Sequence, residues 1–274
     1  MQVSSNLSAL NSFNRVTKNK GVKSELTEKI STGKRIVRAA DDAAGLAISE
    51  SMKAQIRGMS MAEKNIQDGI SLIQVTEGAM DEIDKVLNRM KEMAVQASND
   101  TLTDEDRNAI EKEFSQLKDN IDTISRDTEF NGINLLGGDK GIILQIKDTP
   151  YITYEVKLKE MSTNTLGIKD ASITTGEKAS EANAKIDEAL TRSIAHRTTL
   201  GVSMNKLQHS YNNAQNLGSN LSKSLSGIED IDMATALMGS VKEKILVDYN
   251  QSMLSVAKQD NEKVNVILNK WLSY

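Results

Sequence analysis

The 274-residue chain contains no cysteine. Disulfides, thiolate zinc sites and cysteine nucleophiles are excluded together. It has a single proline, Pro150. Proline removes a backbone donor and clashes with the preceding helical turn, so its scarcity leaves room for long uninterrupted helices. Aromatic residues make up only 3% of the chain, too little bulk for a wide globular core. No apolar run approaches the ~20 residues that span a bilayer. The opening MQVSSNLSALNSF lacks the basic and apolar blocks of a cleaved secretory signal. The expectation is a chain that does not insert into membranes and leaves the cell by a route other than general secretion. Charge of one sign is also missing. Lys and Arg number 34 against 38 Asp and Glu, a net charge of −4, which argues against a nucleic-acid partner. Ala, Ser, Asn, Leu, Ile, Lys and Glu dominate what remains, the composition of long helices packed side by side.

The apolar residues carry the architecture. Leu7, Leu10, Phe13 and Val16 recur every three residues, and Leu26 and Ile30 continue by four, which predicts an amphipathic helix broken at Ser31-Thr32-Gly33. Ile66, Ile70, Ile73, Met80, Ile83, Leu87, Met90 and Ala94 form a heptad-like stripe that lapses only at Glu77. Asn99-Asp100 ends it. Thr103 followed by Asp104, Glu105 and Asp106 predicts a capped helix start, and Ile110, Phe114, Leu117, Ile121 and Ile124 carry that helix forward to Asn131-Gly132. The period then drops to two. Ile142, Leu144 and Ile146, a turn at Asp148-Thr149-Pro150, and Tyr154, Val156 and Leu158 predict a β-hairpin at about 141–160. Residues 160–180, rich in Ser, Thr, Asn and Gly, read as an exposed connection. Helical spacing returns from Ile186 through Ile228, and again through Ala234, Leu237, Val241, Ile245, Tyr249, Met253 and Val256, with Val264, Ile267 and Trp271 extending it. Neither half can bury its stripes alone. The fold expected is mainly α: an elongated antiparallel helical bundle or coiled coil with a small β-hairpin insertion.

Candidate chemistry is sparse. His196 and His209 are thirteen residues apart, about 20 Å along a helix at ~1.5 Å per residue, too far to share a metal. They read as helix-surface histidines. No HExxH, Walker loop, GxGxxG or GxSxG is present. Asp41-Asp42 in RAADDAAGLAIS (38–49) are adjacent carboxylates, but helical neighbours point about 100° apart and do not converge on one substrate. They read as a helix cap or first turn, the alternative being a contact between chains. Glu229, Asp230 and Asp232 lack the glycine-centred turn of a calcium loop and read as a cap for a helix opening at Met233. Met80, Met90, Met204 and Met253 fall on apolar stripes and read as adaptable core filler. No catalytic, cofactor or metal site is expected.

Several segments together resemble one family. ISTGKRI (30–36), RAADDAAGLAIS (38–49), NIQDGISLIQVTEGAMDEI (65–83), NRMKEMAVQASN (88–99) and TEFNGINLL (128–136) are similar to bacterial flagellin. Leu200-Gly201, Asn205-Lys206-Leu207 and GIEDIDMA (227–234) resemble its C-terminal region. The resemblance implies a structural, non-enzymatic filament subunit for swimming motility, in a compact form without large outer domains. The alternative within the superfamily is a hook–filament junction protein. It implies a terminal coiled-coil inner layer at 1–33 and 235–274, a spoke at 34–46, and an outer rod at 47–234. It implies an extracellular location after flagellar type III export, with an export chaperone, hook-associated junction and cap proteins, and other copies of the chain as partners. Subunit packing would involve Leu7, Leu10, Asp41, Asp42, Gly45, Leu46, Val241 and Ile245. Arg89, Met93, Gln96 and Glu113 fall where the flagellin-sensing Toll-like receptor of hosts makes contact in other members. As in some flagellins, Ser162, Thr163, Thr165, Ser172, Thr174 and Thr175 could carry O-linked sugars.

Overall fold

A computed structural model describes residues 2–148 and 152–272. In chain order it contains α1 (Gln2–Thr32), α2 (Ala43–Ala97), α3 (Asp104–Asp127), β1 (Glu129–Phe130), β2 (Ile133–Asn134), β3 (Lys140–Gln145), β4 (Thr153–Leu158), α4 (Thr163–Leu166), α5 (Gly176–Glu229) and α6 (Met233–Leu272). The fold is mainly helical with a small antiparallel hairpin, as the periodicities predict. Of the expected hairpin turn, Thr149 and Pro150 lie outside the described residues, as does the side chain of Trp271. The chain divides into two compact units, Met1–Ala54 with Asn220–Tyr274, and Gln55–Ser219.

In the first unit α1 packs along α6. Gly33 ends α1 at a φ of +70°, a left-handed conformation that glycine adopts without steric cost. The chain then clasps the α5–α6 junction. Arg35 N–H donates to the Glu229 carbonyl at 2.6 Å, and Ile231 N–H donates to that of Gly33 at 3.0 Å. The buried Glu229 carboxylate receives Lys34 at 2.6 Å and Lys53 at 2.8 Å. Burial opposes its ionisation, but the two ammonium groups outweigh burial and hold its pKa below the ordinary value.

The second unit contains the apolar core. Ile66, Ile73, Met80, Ile83, Leu87 and Met90 of α2 are buried with Phe114 and Ile121 of α3 and Ile186, Leu200 and Leu207 of α5. Burial of each such side chain contributes roughly 1.5–3 kcal/mol. The lapse at Glu77 has a cause. Thr76 fills the core position, its hydroxyl donating to the Leu72 carbonyl at 2.8 Å. Glu77 turns instead to Arg197 of α5, which also reaches the buried Asp84 at 2.7 Å. Ser193 donates its hydroxyl to Asp84 from the preceding turn of α5.

Thr103 caps α3 as expected, in a reciprocal box with Asp106. Asn131 and Gly132 join β1 to β2 with φ of 51° and 75°, the paired positive angles of a type I′ turn. In the β3–β4 hairpin Ile142 faces Val156, and Leu144 faces Tyr154. Gly69 of α2 admits it closely: a Cβ there would lie 2.3 Å from Leu144 Cδ1.

Two expectations are corrected here. Residues 160–180 are not an exposed connection. Met161, Thr163, Leu166, Ile168, Ala171, Ile173 and Ala179 are buried, and α3 straps the segment down. Asp122 accepts from the Thr163 amide and hydroxyl at 2.8 Å each, Lys118 donates to the Ala171 carbonyl at 2.8 Å, and Glu111 accepts from the Ile173 amide at 2.6 Å. Likewise, His209 is exposed but His196 is not. His196 is 2% exposed, and neither ring nitrogen has a hydrogen-bond partner. Burial lowers its pKa, as does Lys159, against the opposing pull of Asp139 and Glu77.

Candidate assembly interface

The first unit leaves its most apolar surface uncovered. Leu237, Val241, Ile245, Tyr249 and Met253 recur every fourth residue along α6, and all are exposed. Val241 is 55% exposed and Ile245 62%. Among the described residues of the same helix Ala236, Val247 and Asn250 are buried, and Leu246 and Leu254 are half-buried. Ala236 lies nine residues from Ile245, and Asn250 nine from Val241. At 3.6 residues per turn, nine residues is about half a turn round the helix. The face turned into the unit is therefore partly polar, while Leu237, Val241, Ile245 and Tyr249 face outward. Met253 is thus surface, not core filler, whereas Met80 and Met90 are fully buried and Met204 half-buried. Leu7, Leu10 and Phe13 add an exposed apolar patch on α1, with Val16 buried. Contiguous exposed apolar surface on this scale marks a place where another protein surface belongs.

Asp41 and Asp42 have partners within the chain. Asp42 Oδ1 accepts from the Gly45 amide at 2.8 Å and caps α2. Asp41 Oδ2 accepts from the Arg38 amide at 3.0 Å and the Val37 amide at 3.1 Å, while its Oδ1 meets Lys29 at 3.0 Å. These bonds, that from Arg38 foremost, draw its pKa down to about 2. Gly45 is buried by the same turn, where a Cβ would come within 2.4 Å of Asp42 Oδ2 and 2.7 Å of Ile36 Cδ1. Leu46 is half-buried, and Ala43, Ala44 and Ala47 remain exposed. Asp42 is thus the cap, while Asp41 ties the 37–38 turn to Lys29 of α1.

Among the residues expected at a receptor contact, Arg89, Gln96 and Glu113 are exposed. Arg89 of α2 bridges to Glu113 of α3 at 3.2 Å and to Glu92 at 3.1 Å. Met93 departs from the expectation. It is 2% exposed and belongs to the core, because its place on α2 follows the buried stripe. Of the hydroxyls read as glycan acceptors, Thr165 and Thr175 are exposed, and Ser162, Ser172 and Thr174 are half-buried. Thr163 is excluded, since it is buried with its hydroxyl given to Asp122. Among the described residues no cluster of His, Asp or Glu could hold a metal ion, and no helix is long and apolar enough to cross a membrane.

The sequence pattern of the bacterial flagellin N-terminal helical region matches residues 3–140, and that of the C-terminal helical region matches 184–268. The chain belongs to the bacterial flagellin family. It is 38% identical to flagellin of Bacillus subtilis (strain 168), covering 98% of this chain and 100% of that one. It is 39% identical to flagellin of Halalkalibacterium halodurans, again over 98% and 100%. In fold it is similar to a putative flagellar hook-associated protein from Vibrio parahaemolyticus, with a TM-score of 0.59 at 13% identity over 69% of this chain and 100% of that one. That likeness is one of fold alone. As a flagellin, the chain is a structural subunit of the extracellular flagellar filament and not an enzyme.

Proposed function

We propose that subunits join through the exposed stripe of α6 and the Leu7–Phe13 patch of α1, giving a helical homopolymer of the filament type. The observation that carries this is the orientation of α6, whose apolar side faces away from α1. Different faces of each subunit then meet, which allows open-ended growth. On this reading the segments 1–33 and 235–274 form the inner layer, 34–46 the spoke and 47–234 the outer rod of the assembled filament. Removing residues 1–33 or 235–274 is expected to leave a soluble chain that cannot polymerise, scored by electron microscopy. Normal filaments from either truncation refute it. The same micrographs separate this reading from a junction protein, which would give short rings from the full chain rather than long filaments.

The same stripe suits further partners. A dedicated export chaperone covering α6 would keep the subunit apart from its copies before flagellar type III export, and cap and junction proteins would meet the same surfaces at the filament ends. Arg89, Gln96 and Glu113 offer the flagellin-sensing Toll-like receptor a polar surface held by the Arg89–Glu113 bridge, with Met93 shaping it from beneath. A reporter assay with monomer tests this. Silence at high dose, or full activity of Arg89→Ala, refutes it. O-linked sugars would be confined to Ser162, Thr165, Ser172, Thr174 and Thr175, and an intact mass equal to the bare chain rules them out.

A further inference from the structure

We propose that Met238 and Met253 on the outer face of α6 form an oxidation site that turns subunit joining off. The inference rests on reading that face as the joining surface. The methionines of the chain are unevenly placed. Met59, Met80, Met90, Met93 and Met161 are buried. Among the described residues the exposed ones are Met61, Met233, Met238 and Met253, and three of these four lie on α6. Met238 is 67% exposed. It precedes Ile245 by seven residues, two helical turns, and so shares its face. Met253 continues the four-residue series after Tyr249.

A solvated thioether reacts with peroxides. The sulfur lone pair attacks one peroxide oxygen, the O–O bond breaks, and an S=O bond forms. Sulfur loses two electrons to the departing hydroxide, which takes the proton from the sulfur-bound oxygen and leaves as water. The product is a polar, chiral sulfoxide. On a free subunit water solvates the new oxygen and the fold is undisturbed. At a joining surface that oxygen must be buried without a partner, or the neighbour is held off. Joined subunits shield the same sulfurs, so the site is open only before assembly. Methionine sulfoxide reductases reverse the reaction, which makes the modification a switch rather than damage. The buried methionines supply an internal contrast: Met80 and Met90 react only if the unit opens.

The test treats purified full-length subunits with hydrogen peroxide and measures three things: sulfoxide by peptide mass spectrometry, helicity by circular dichroism, and the critical concentration for polymerisation by sedimentation. Oxidation at Met238 and Met253 is expected to raise the critical concentration about tenfold or more, the scale for burying one unpartnered polar group per subunit contact, with helicity unchanged. The Met238→Leu, Met253→Leu double variant should polymerise untreated and resist peroxide. In a partly oxidised wild-type pool, sulfoxide at 238 and 253 should be enriched in the unassembled fraction. Equal partition of those sulfoxides, or equal peroxide sensitivity of the double variant, overturns this inference alone. If the untreated double variant does not polymerise, the wild-type partition decides. Untreated wild type that forms no polymer overturns the joining reading and this inference with it.

Discussion

Ile245→Ala separates the two jobs of α6. The substitution removes three carbons from a side chain that is 62% exposed in the free subunit. Only that exposed share remains to be buried by a neighbour. At ~0.8 kcal/mol per buried methylene, the loss on joining is about 1.5 kcal/mol, or roughly a tenfold rise in critical concentration. The free subunit loses only the smaller, already buried share, about 0.9 kcal/mol, partly offset by the better helix propensity of alanine. Alanine is also the better helix former, so a weakened helix cannot be the cause of poorer assembly. Val247→Ala is the counterpart. Val247 is 6% exposed on the opposite side, and its truncation should lower the stability of the free subunit by about 1–3 kcal/mol. Sedimentation gives the critical concentration and denaturant unfolding gives the stability of the free chain. If Ile245→Ala destabilises the free subunit as much as Val247→Ala and leaves polymerisation unchanged, the outward stripe is not a joining surface.

Three further outcomes concern the second unit. Gly69→Ala should cost about 1–3 kcal/mol through its clash with Leu144, whereas Gly78→Ala, with nothing within 4 Å, should stabilise by up to about 1 kcal/mol; thermal melting of the pair checks the sign of each. Arg197→Met strands the buried Asp84 beside Glu77, a loss of about 2–3 kcal/mol for a partly solvated group, read from urea midpoints against Arg126→Met at the surface. His196 is held neutral by burial, so its folded pKa lies below the unfolded value of ~6.5. Stability is then complete above that value and falls as pH drops below it, because the unfolded chain takes up a proton that the folded chain refuses. The carboxylates whose pKa is lowered, among them Asp41, Asp81 and Glu229, begin to cost stability only below about pH 4.5. A loss between about pH 6.5 and 5 that persists in His196→Leu assigns it to other groups.

The helices were legible because their apolar residues repeat at 3.6, and the hairpin because its residues alternate at two. The cap at Thr103 was legible because it is specified within four residues, whereas Asn131-Gly132 read only as the end of the helical region and not as the β1–β2 turn. What was not legible is long-range. Nothing local shows that Thr163 meets Asp122 forty-one residues away, so a Ser- and Thr-rich segment read as solvated when its alternate residues are in fact covered. His196 looked like surface because a single histidine has no period. The one available signal was its place four residues before the core residue Leu200, since positions four apart share a helix face. Glu77 shows the reverse. Its break in the stripe was visible, but Arg197, the reason for it, was not.

The same limit explains the assembly surface. Periodicity finds an apolar stripe but cannot say which molecule covers it. For α2 the answer lies within the chain, where Phe114 and Leu207 share its core. For α6 the described buried positions are Ala236, Val247 and Asn250, with Leu246 and Leu254 half-buried, while Leu237, Val241, Ile245 and Tyr249 are exposed. A helix so arranged gains further stability when a neighbour covers Val241, Ile245 and Tyr249. Folding of this segment and joining of subunits therefore draw on one set of side chains. Any change that covers or polarises that set, whether a chaperone, a substitution or an oxidised methionine, should act on assembly before it acts on the fold of the second unit.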